Sequence, residues 1–388
     1  MVELLSRPVP GRAMLRLPTG AGKTRVAVEA VIRIARTKGL NGPILWIAQS
    51  NELCEQAVES WKFVWSKVGP EEKLTVNRFW GSNDAAPVTN NTQLVVATDA
   101  KLNLNLSKDE YAWLRKASVV IVDEAHRAIS PRYTAILERL GLTRSRTERP
   151  LIGITATPFR GTNADETERL AARFGRYRID DGLFPDDDPY AALQSIGVLA
   201  NVDHRELQGS TLTLNEAEFA KMNESGGFFP SSAEERLAQD TDRNGMLLDE
   251  IAKLDDDWPV LVFATSVNHS KLLTAMLNGR GIASASIDSF TPMPERRNKI
   301  DDFRKGRIRV ITNYGVLAQG FDAPATRAVV IARPTYSPNV YQQMIGRGLR
   351  GPKNGGKEMC LILDVHDNIE NYGKSLAFTG FEHLWGIR

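Results

Sequence analysis

The residues Leu17-Pro-Thr-Gly-Ala-Gly-Lys-Thr24 have the types and order needed to hold a phosphate chain. Gly20 and Gly22 let backbone N–H groups approach phosphate oxygens, with Thr19 and Ala21 completing the turn. An apolar run precedes the loop and a helical pattern follows it, so a helix N-terminus adds its partial positive charge. Lys23 is placed to reach the β- and γ-phosphates of a nucleotide such as ATP, and the Thr24 hydroxyl to bind Mg²⁺. The strict phosphate-loop pattern has Gly where Leu17 stands. An acidic partner is required on a neighbouring strand, and Val119-Val-Ile-Val-Asp-Glu-Ala-His126 supplies one. Asp123 at the strand tip can hold Mg²⁺ through water, and Glu124 can orient or deprotonate an attacking water.

These groups need a rigid frame, and the apolar pattern predicts one. Ala13–Leu17, Ile44–Ala48, Leu94–Ala97, Val119–Val122 and Leu151–Ile154 read as buried strands. Lys23–Lys38, Asn51–Lys67, Asp109–Lys116 and Pro131–Leu140 carry helical spacing between them. The rhythm returns at Val260–Ala264, Ala283–Ile287, Ile308–Thr312, Ala328–Ala332 and Met359–Leu363, with helical Asn268–Gly279 and Pro294–Lys305. Near-continuous apolar strands alternating with helices predict an α/β architecture, each unit a mainly parallel sheet covered by helices. The expected division is residues 1–180, a connecting segment 181–245, and residues 246–388.

Composition narrows the class. The 388 residues carry a formal net charge of +2, which excludes a polybasic tail but not a local basic groove. Two cysteines, Cys54 and Cys360, cannot make a disulfide scaffold or a Cys-rich zinc site. There is no signal-peptide pattern and no apolar run of membrane-spanning length, so a soluble protein of the cytoplasm without a membrane partner is expected. Gly346-Arg-Gly-Leu-Arg-Gly351 satisfies the dinucleotide fingerprint, but it follows a helical stretch rather than a strand. His204, His269, His366 and His383 lack metal-ligand spacing and read as packing or surface residues.

Taken together, Leu17–Thr24 and Asp123-Glu-Ala-His126 resemble the ATP-binding half of superfamily 2 DEAD/DEAH-type helicases. Thr155-Ala-Thr-Pro158 resembles that family's third motif, Thr312-Asn-Tyr-Gly-Val-Leu-Ala-Gln-Gly-Phe-Asp-Ala-Pro324 the fifth, and Gln343-Met-Ile-Gly-Arg-Gly-Leu-Arg350 the sixth. The motifs stand in family order over almost the whole chain. The resemblance implies two tandem RecA-like domains and Mg·ATP as cofactor. It implies that Arg347 and Arg350 act as arginine fingers when the lobes close, with Gln343 on the water or phosphate. Gly320 and Asp322 would lie near those arginines and the ribose. His126, Thr155 and Thr157 would couple nucleotide state to closure, His126 by bridging the second and sixth motifs.

Nucleic-acid contacts implied by the resemblance are Gln49 in Ala48–Leu53, Thr98 in Ala97–Lys101, Thr265 in Phe263–Ser266, and Thr312. Where relatives often carry a His-Arg-Glu-like run, this chain has Gln49, Ser50 and Asn51, which removes one cationic phosphate contact. Trp46, Trp61, Trp65 and Trp80 could stack on bases, although the spacing of Trp61 and Trp65 suits packing first. Gly320-Phe-Asp-Ala-Pro324 and Gln343–Arg350 followed by Gly351-Pro-Lys-Asn-Gly-Gly most resemble DNA-directed members, and His126 stands where RNA-directed DEAD-box enzymes usually have Asp, which favours duplex DNA over RNA. The nearest likenesses are the RadD- and XPB-like repair group and the motors of restriction and defence systems. A nuclease or other complex subunit is then a possible partner. Relatives place an adenine-reading Gln well upstream of the phosphate loop, and only 22 residues precede Lys23 here. This predicts a core taken from a longer polypeptide. The alternatives are an ATP-gated clamp, a motor subunit without unwinding of its own, and an RNA helicase.

Overall fold

The computed structural model describes residues 1–6, 11–89, 91–143, 149–156, 164–185, 188–224, 229–317 and 326–369. Two compact units result, the first carried by Met1–Pro18 and Gly22–Pro189, the second by Thr19–Ala21 and the chain from Tyr190 onward.

The first unit holds β1 (Arg12–Arg16), β2 (Ile44–Ala48), β3 (Leu74–Phe79), β4 (Thr92–Thr98), β5 (Val119–Asp123) and β6 (Leu151–Thr155) in one sheet, ordered β1-β6-β5-β2-β4-β3. Every pairing is parallel. Its helices are α1 (Val2–Ser6), α2 (Lys23–Lys38), α3 (Asn51–Val68), α4 (Asp99–Asn105), α5 (Pro131–Arg139) and α6 (Ala164–Arg173); α7 (Pro189–Ser195) lies in the second unit apart from Pro189. Asp109–Lys116 winds as a 3₁₀ helix. β2, β5 and β6 are buried at every residue, as strands covered on both faces must be. β3 is different: it lies at the sheet edge and is only half-buried, so its apolar residues form no continuous run.

The second unit repeats the plan with β7 (Asn201–Leu212), β8 (Val260–Phe263), β9 (Ser284–Ile287), β10 (Val310–Asn313), β11 (Ala328–Ile331) and β12 (Met359–Ile369), ordered β7-β12-β11-β8-β10-β9 and again all parallel. Its helices are α8 (Glu216–Glu224), α9 (Ser231–Gln239), α10 (Thr241–Ala252), α11 (Val267–Gly279), α12 (Met293–Arg304) and α13 (Pro338–Ile345). From Tyr190 onward the expected connecting segment 181–245 falls within the second unit. It contributes β7, paired along β12, with α7, α8, α9 and the start of α10. β7 is an exposed edge strand rich in polar residues, which is why it carries no apolar signature.

Each unit has its own apolar core. In the first it runs from Leu45, Ile47 and Val120 to Ile136 and Phe174. In the second it gathers Leu247, Val262, Leu273, Val330 and Leu363. Trp46 and Trp61 are fully buried and meet edge to face, with ring centroids 6.5 Å apart, and Trp80 is buried as well. These three rings are committed to packing and present no face to a base, so the stacking expectation is corrected for them. Among the described residues no helix is long and apolar enough to cross a membrane.

Candidate ATP site and nucleic-acid motifs

Three adjacent strands of the first sheet deliver the chemistry. β6 lies between β1 and β5, with Arg16 opposite Thr155 and Asp123 opposite Ile154. The phosphate loop leaves the end of β1, the Asp123–Glu124 pair ends β5, and Thr155 ends β6. In a parallel sheet the carboxyl ends of the strands all open on one edge, where ligands bind.

The loop geometry follows from its glycines. Gly20 and Gly22 have φ of 88° and 89°, the left-handed region that glycine enters without a Cβ penalty. Gly22 begins α2, and no side chain caps that helix. Its first turn carries no acidic residue either, which leaves the helix start suited to an anion. The Lys23 ammonium folds back over the loop, with Nζ donating to the Pro18 carbonyl at 3.5 Å.

Opposite charge is concentrated at the end of β5. Asp123 is buried, and burial together with the neighbouring Glu124 carboxylate pushes its pKa up to about 7. Lys23 and the Glu124 backbone N–H, which donates to Asp123 Oδ1 at 2.9 Å, pull the other way. A buried carboxylate pair of this kind is relieved by a divalent cation, so the site fits Mg²⁺ chemically. Glu124 adopts φ 48°, rare for a residue with a side chain and a form of strain that collects at functional sites.

His126 ties these groups together. Its Nδ1 lies 3.2 Å from Thr155 Oγ1 and 3.3 Å from Glu124 Oε2, all three side chains being largely buried. The second and third motifs are thus joined within the first unit. Thr157, Gly320 and Asp322 lie outside the described residues, as does His383.

The polar residues expected on nucleic acid divide into two groups. Gln49 follows β2, and its Nε2 finds no hydrogen-bond partner among the described residues. Thr98 is buried, and its hydroxyl caps α4 by accepting from Lys101 N at 3.3 Å. Thr265 and Thr312 require correction. Both are fully buried, with Thr265 Oγ1 2.9 Å from His269 Nδ1 and Thr312 Oγ1 within 2.8 Å of the Ser270 and Thr274 hydroxyls. Their hydroxyls are spent inside the second unit, so they position neighbouring backbone rather than contact phosphate themselves.

In the sixth motif, Ser337 caps α13, Gln343 stands in the last turn of that helix, and Gly346–Gly348 turn the chain after it. The Gln343 carbonyl accepts from Arg347 Nε at 3.3 Å, which ties those two residues together. Gly348 packs against Cys360 and Val329, and Arg350 is bridged to Leu199 through the backbone. Glu234 and Arg333 of this unit escaped the motif reading, and both bond to or pack on Tyr314 of the fifth motif, forming one part-buried network around the Glu234 carboxylate. Tyr314 and Arg333 stand 80 and 99 positions from Glu234 along the chain, so no local pattern announces the network.

Comparison with known proteins agrees with this layout. The family model described as type III restriction enzyme, res subunit, matches residues 5–160, and the helicase conserved C-terminal domain matches residues 242–351. The chain belongs to helicase superfamily 2. Its two sheets are tandem RecA-like domains. Among superfamily relatives, a 51.5 kDa protein of a Lactococcus phage is 24% identical over 360 residues, covering 92% of this chain and 66% of the phage protein. The putative ATP-dependent helicase IRC3 of Saccharomyces cerevisiae is 25% identical over 362 residues, covering 91% of this chain and 48% of that one. The chain therefore spans from just under half to about two thirds of the length of these relatives. Among solved structures, S. cerevisiae Dbp5 bound to RNA and ADP BeF3 shares the fold with a TM-score of 0.65 at 15% identity, covering 99% of this chain and 86% of that one.

Proposed function

We propose that this chain is a nucleic-acid-dependent ATPase that couples Mg·ATP hydrolysis to movement along DNA. The observation that carries the reading is the meeting of phosphate loop, acidic pair and Thr155 on three neighbouring strand ends. Thr19–Gly22 and the start of α2 bind the phosphates, and Lys23 adds charge to them. Thr24 and Asp123 would hold magnesium, which when bound neutralises charge on the β- and γ-phosphate oxygens. Glu124 orients the attacking water or takes its proton. Arg347 and Arg350 supply positive charge to the transferring phosphoryl group, a contribution worth roughly 10³–10⁵ in rate where an arginine finger acts. Gln343 assists them. Gln49 and the helix start behind Thr98 contact the nucleic-acid backbone.

DNA as the track is supported by His126 in the acidic tetrad, by the Gly351–Gly356 turn after the sixth motif, and by the restriction-enzyme family match over residues 5–160. The experiment is steady-state ATP hydrolysis with no nucleic acid, single-stranded DNA, duplex DNA and RNA, at low and moderate salt. Stimulation by duplex DNA that fades with salt, as release of counterions requires, is the expected result. Stimulation by RNA alone overturns the DNA assignment. Bound ATP with no stimulation by any polymer overturns the motor reading in favour of an ATP-gated clamp.

A further inference from the structure

The segment between β7 and α10 belongs to no motif, yet it reaches one. α8 and α9 enclose a small core of Leu214, Met222, Phe229, Ala233 and Leu237, closed by Tyr336, whose ring stacks on Phe229 at a centroid distance of 6.5 Å. From α9, Glu234 turns inward and is only 4% exposed. Its Oε1 accepts from Arg333 Nη2 at 3.0 Å and its Oε2 from the Tyr314 hydroxyl at 3.2 Å. The Arg333 guanidinium lies over the Tyr314 ring, 5.1 Å from its centroid. Arg333 stands just past β11, and Tyr314 is the first residue after β10, inside the fifth motif.

A carboxylate this buried is costly unless both oxygens are engaged, and here they are. Removing it leaves a half-buried cation and a half-buried hydroxyl without their shared acceptor. The turn that follows β10 is held from its other side by Asn313, which donates to the Val262 carbonyl at 2.9 Å and accepts from Leu317 N at 3.3 Å. Tyr314 is thus the free corner of an otherwise fixed turn, and Glu234 pins it.

We propose that Glu234 is a positioning residue for the fifth motif: by holding Tyr314 and Arg333 it sets the path of the chain leaving β10, so that the α8–α9 insertion governs how nucleic acid stimulates ATP turnover. The functional half of this proposal rests on the motor reading above; the positioning half does not. The test compares the wild type with Glu234→Ala, Glu234→Gln and Tyr314→Phe. Amide hydrogen exchange of residues 313–317 reports positioning, duplex-DNA titrations of ATP hydrolysis report function, and thermal unfolding confirms the fold.

Glu234→Ala is expected to speed exchange at 314–317 about tenfold and to raise the half-activating DNA concentration about tenfold, the scale of one lost charge-assisted hydrogen bond. The KM for ATP without DNA should move less than about twofold, because Lys23, Thr24 and Asp123 are in the other unit. Glu234→Gln, which can still accept from Tyr314, should fall between, and Tyr314→Phe should add little to Glu234→Ala. Should Glu234→Ala fail to fold, the isosteric Tyr314→Phe carries the same two readouts. Wild-type exchange at 314–317 in a folded variant overturns the proposal, as does faster exchange with unchanged DNA dependence. If no nucleic acid stimulates even the wild type, the motor reading falls while the exchange comparison still decides whether Glu234 holds the turn.

Discussion

Gly348→Ala probes the sixth motif through a single methyl group. Gly348 lies between Arg347 and Arg350, and its φ is outside the left-handed region, so alanine fits the backbone and any cost is steric. A Cβ there would overlap the Cys360 sulfur and stand 2.9 Å from Val329 Cγ2. Val329 and Cys360 are fully buried on β11 and β12, which are paired with each other, so neither strand can withdraw. The methyl would fall roughly 1 Å inside ordinary van der Waals contact with the sulfur. The turn carrying the arginines must therefore lift by a comparable amount. Overpacking of this kind costs about 1–3 kcal/mol of stability. A displacement near 1 Å at a catalytic group costs about 100-fold in turnover. The assay is nucleic-acid-stimulated ATP hydrolysis alongside thermal unfolding, for Gly348→Ala alone and with Cys360→Ala. The second substitution removes the sulfur and leaves the Cys360 Cβ 3.6 Å away, an ordinary contact, so the lost turnover should return in part, the 2.9 Å approach to Val329 remaining. Wild-type turnover in folded Gly348→Ala would refute the reasoning. So would a defect that Cys360→Ala does not relieve.

Lys23→Ala should lower ATP turnover by about 100-fold or more, since it removes the cation that the phosphate loop itself brings to the β- and γ-phosphates. Glu124→Gln should keep ATP binding while losing hydrolysis, measured by nucleotide binding beside turnover; full hydrolysis by this variant removes Glu124 from the water-orienting role. His269 predicts a pH dependence of stability. Its Nδ1 accepts from Thr265 N at 3.1 Å, so the proton sits on Nε2, which donates to Asn244 Oδ1 at 2.9 Å. Burial, aided by the Arg243 charge, pulls its pKa down to about 3 from 6.5. Between these values the unfolded chain binds the extra proton, so stability falls as pH falls, by about 1.4 kcal/mol per unit from this group. Urea unfolding of the wild type against His269→Gln across that range should show a difference that changes with pH, and a constant difference contradicts the assignment.

Much of the frame is legible in the sequence because burial on both faces leaves strands that are apolar throughout. Ile44–Ala48 and Val119–Asp123 are such strands, and α2 is bounded by glycines at 22 and 39. The ATP-site residues are legible for a related reason. Phosphate loop and acidic pair are each contiguous, so their chemistry is written in local order. β3 and β7 escaped because edge strands keep one side in water and dilute the apolar signal. Thr265 and Thr312 show a second limit, for a hydroxyl has the same letter whether it faces a ligand or the core. Their inward bonds to His269, Ser270 and Thr274 emerge only once α11 is packed on the sheet. The clamp of Glu234 on Tyr314 and Arg333 joins residues that share no local pattern. Local order thus determined which groups are candidates to bind a nucleotide and what kind of sheet carries them. Tertiary packing alone decided which polar side chains face inward and which distant ones meet, because both depend on elements that are neighbours in space and not along the chain.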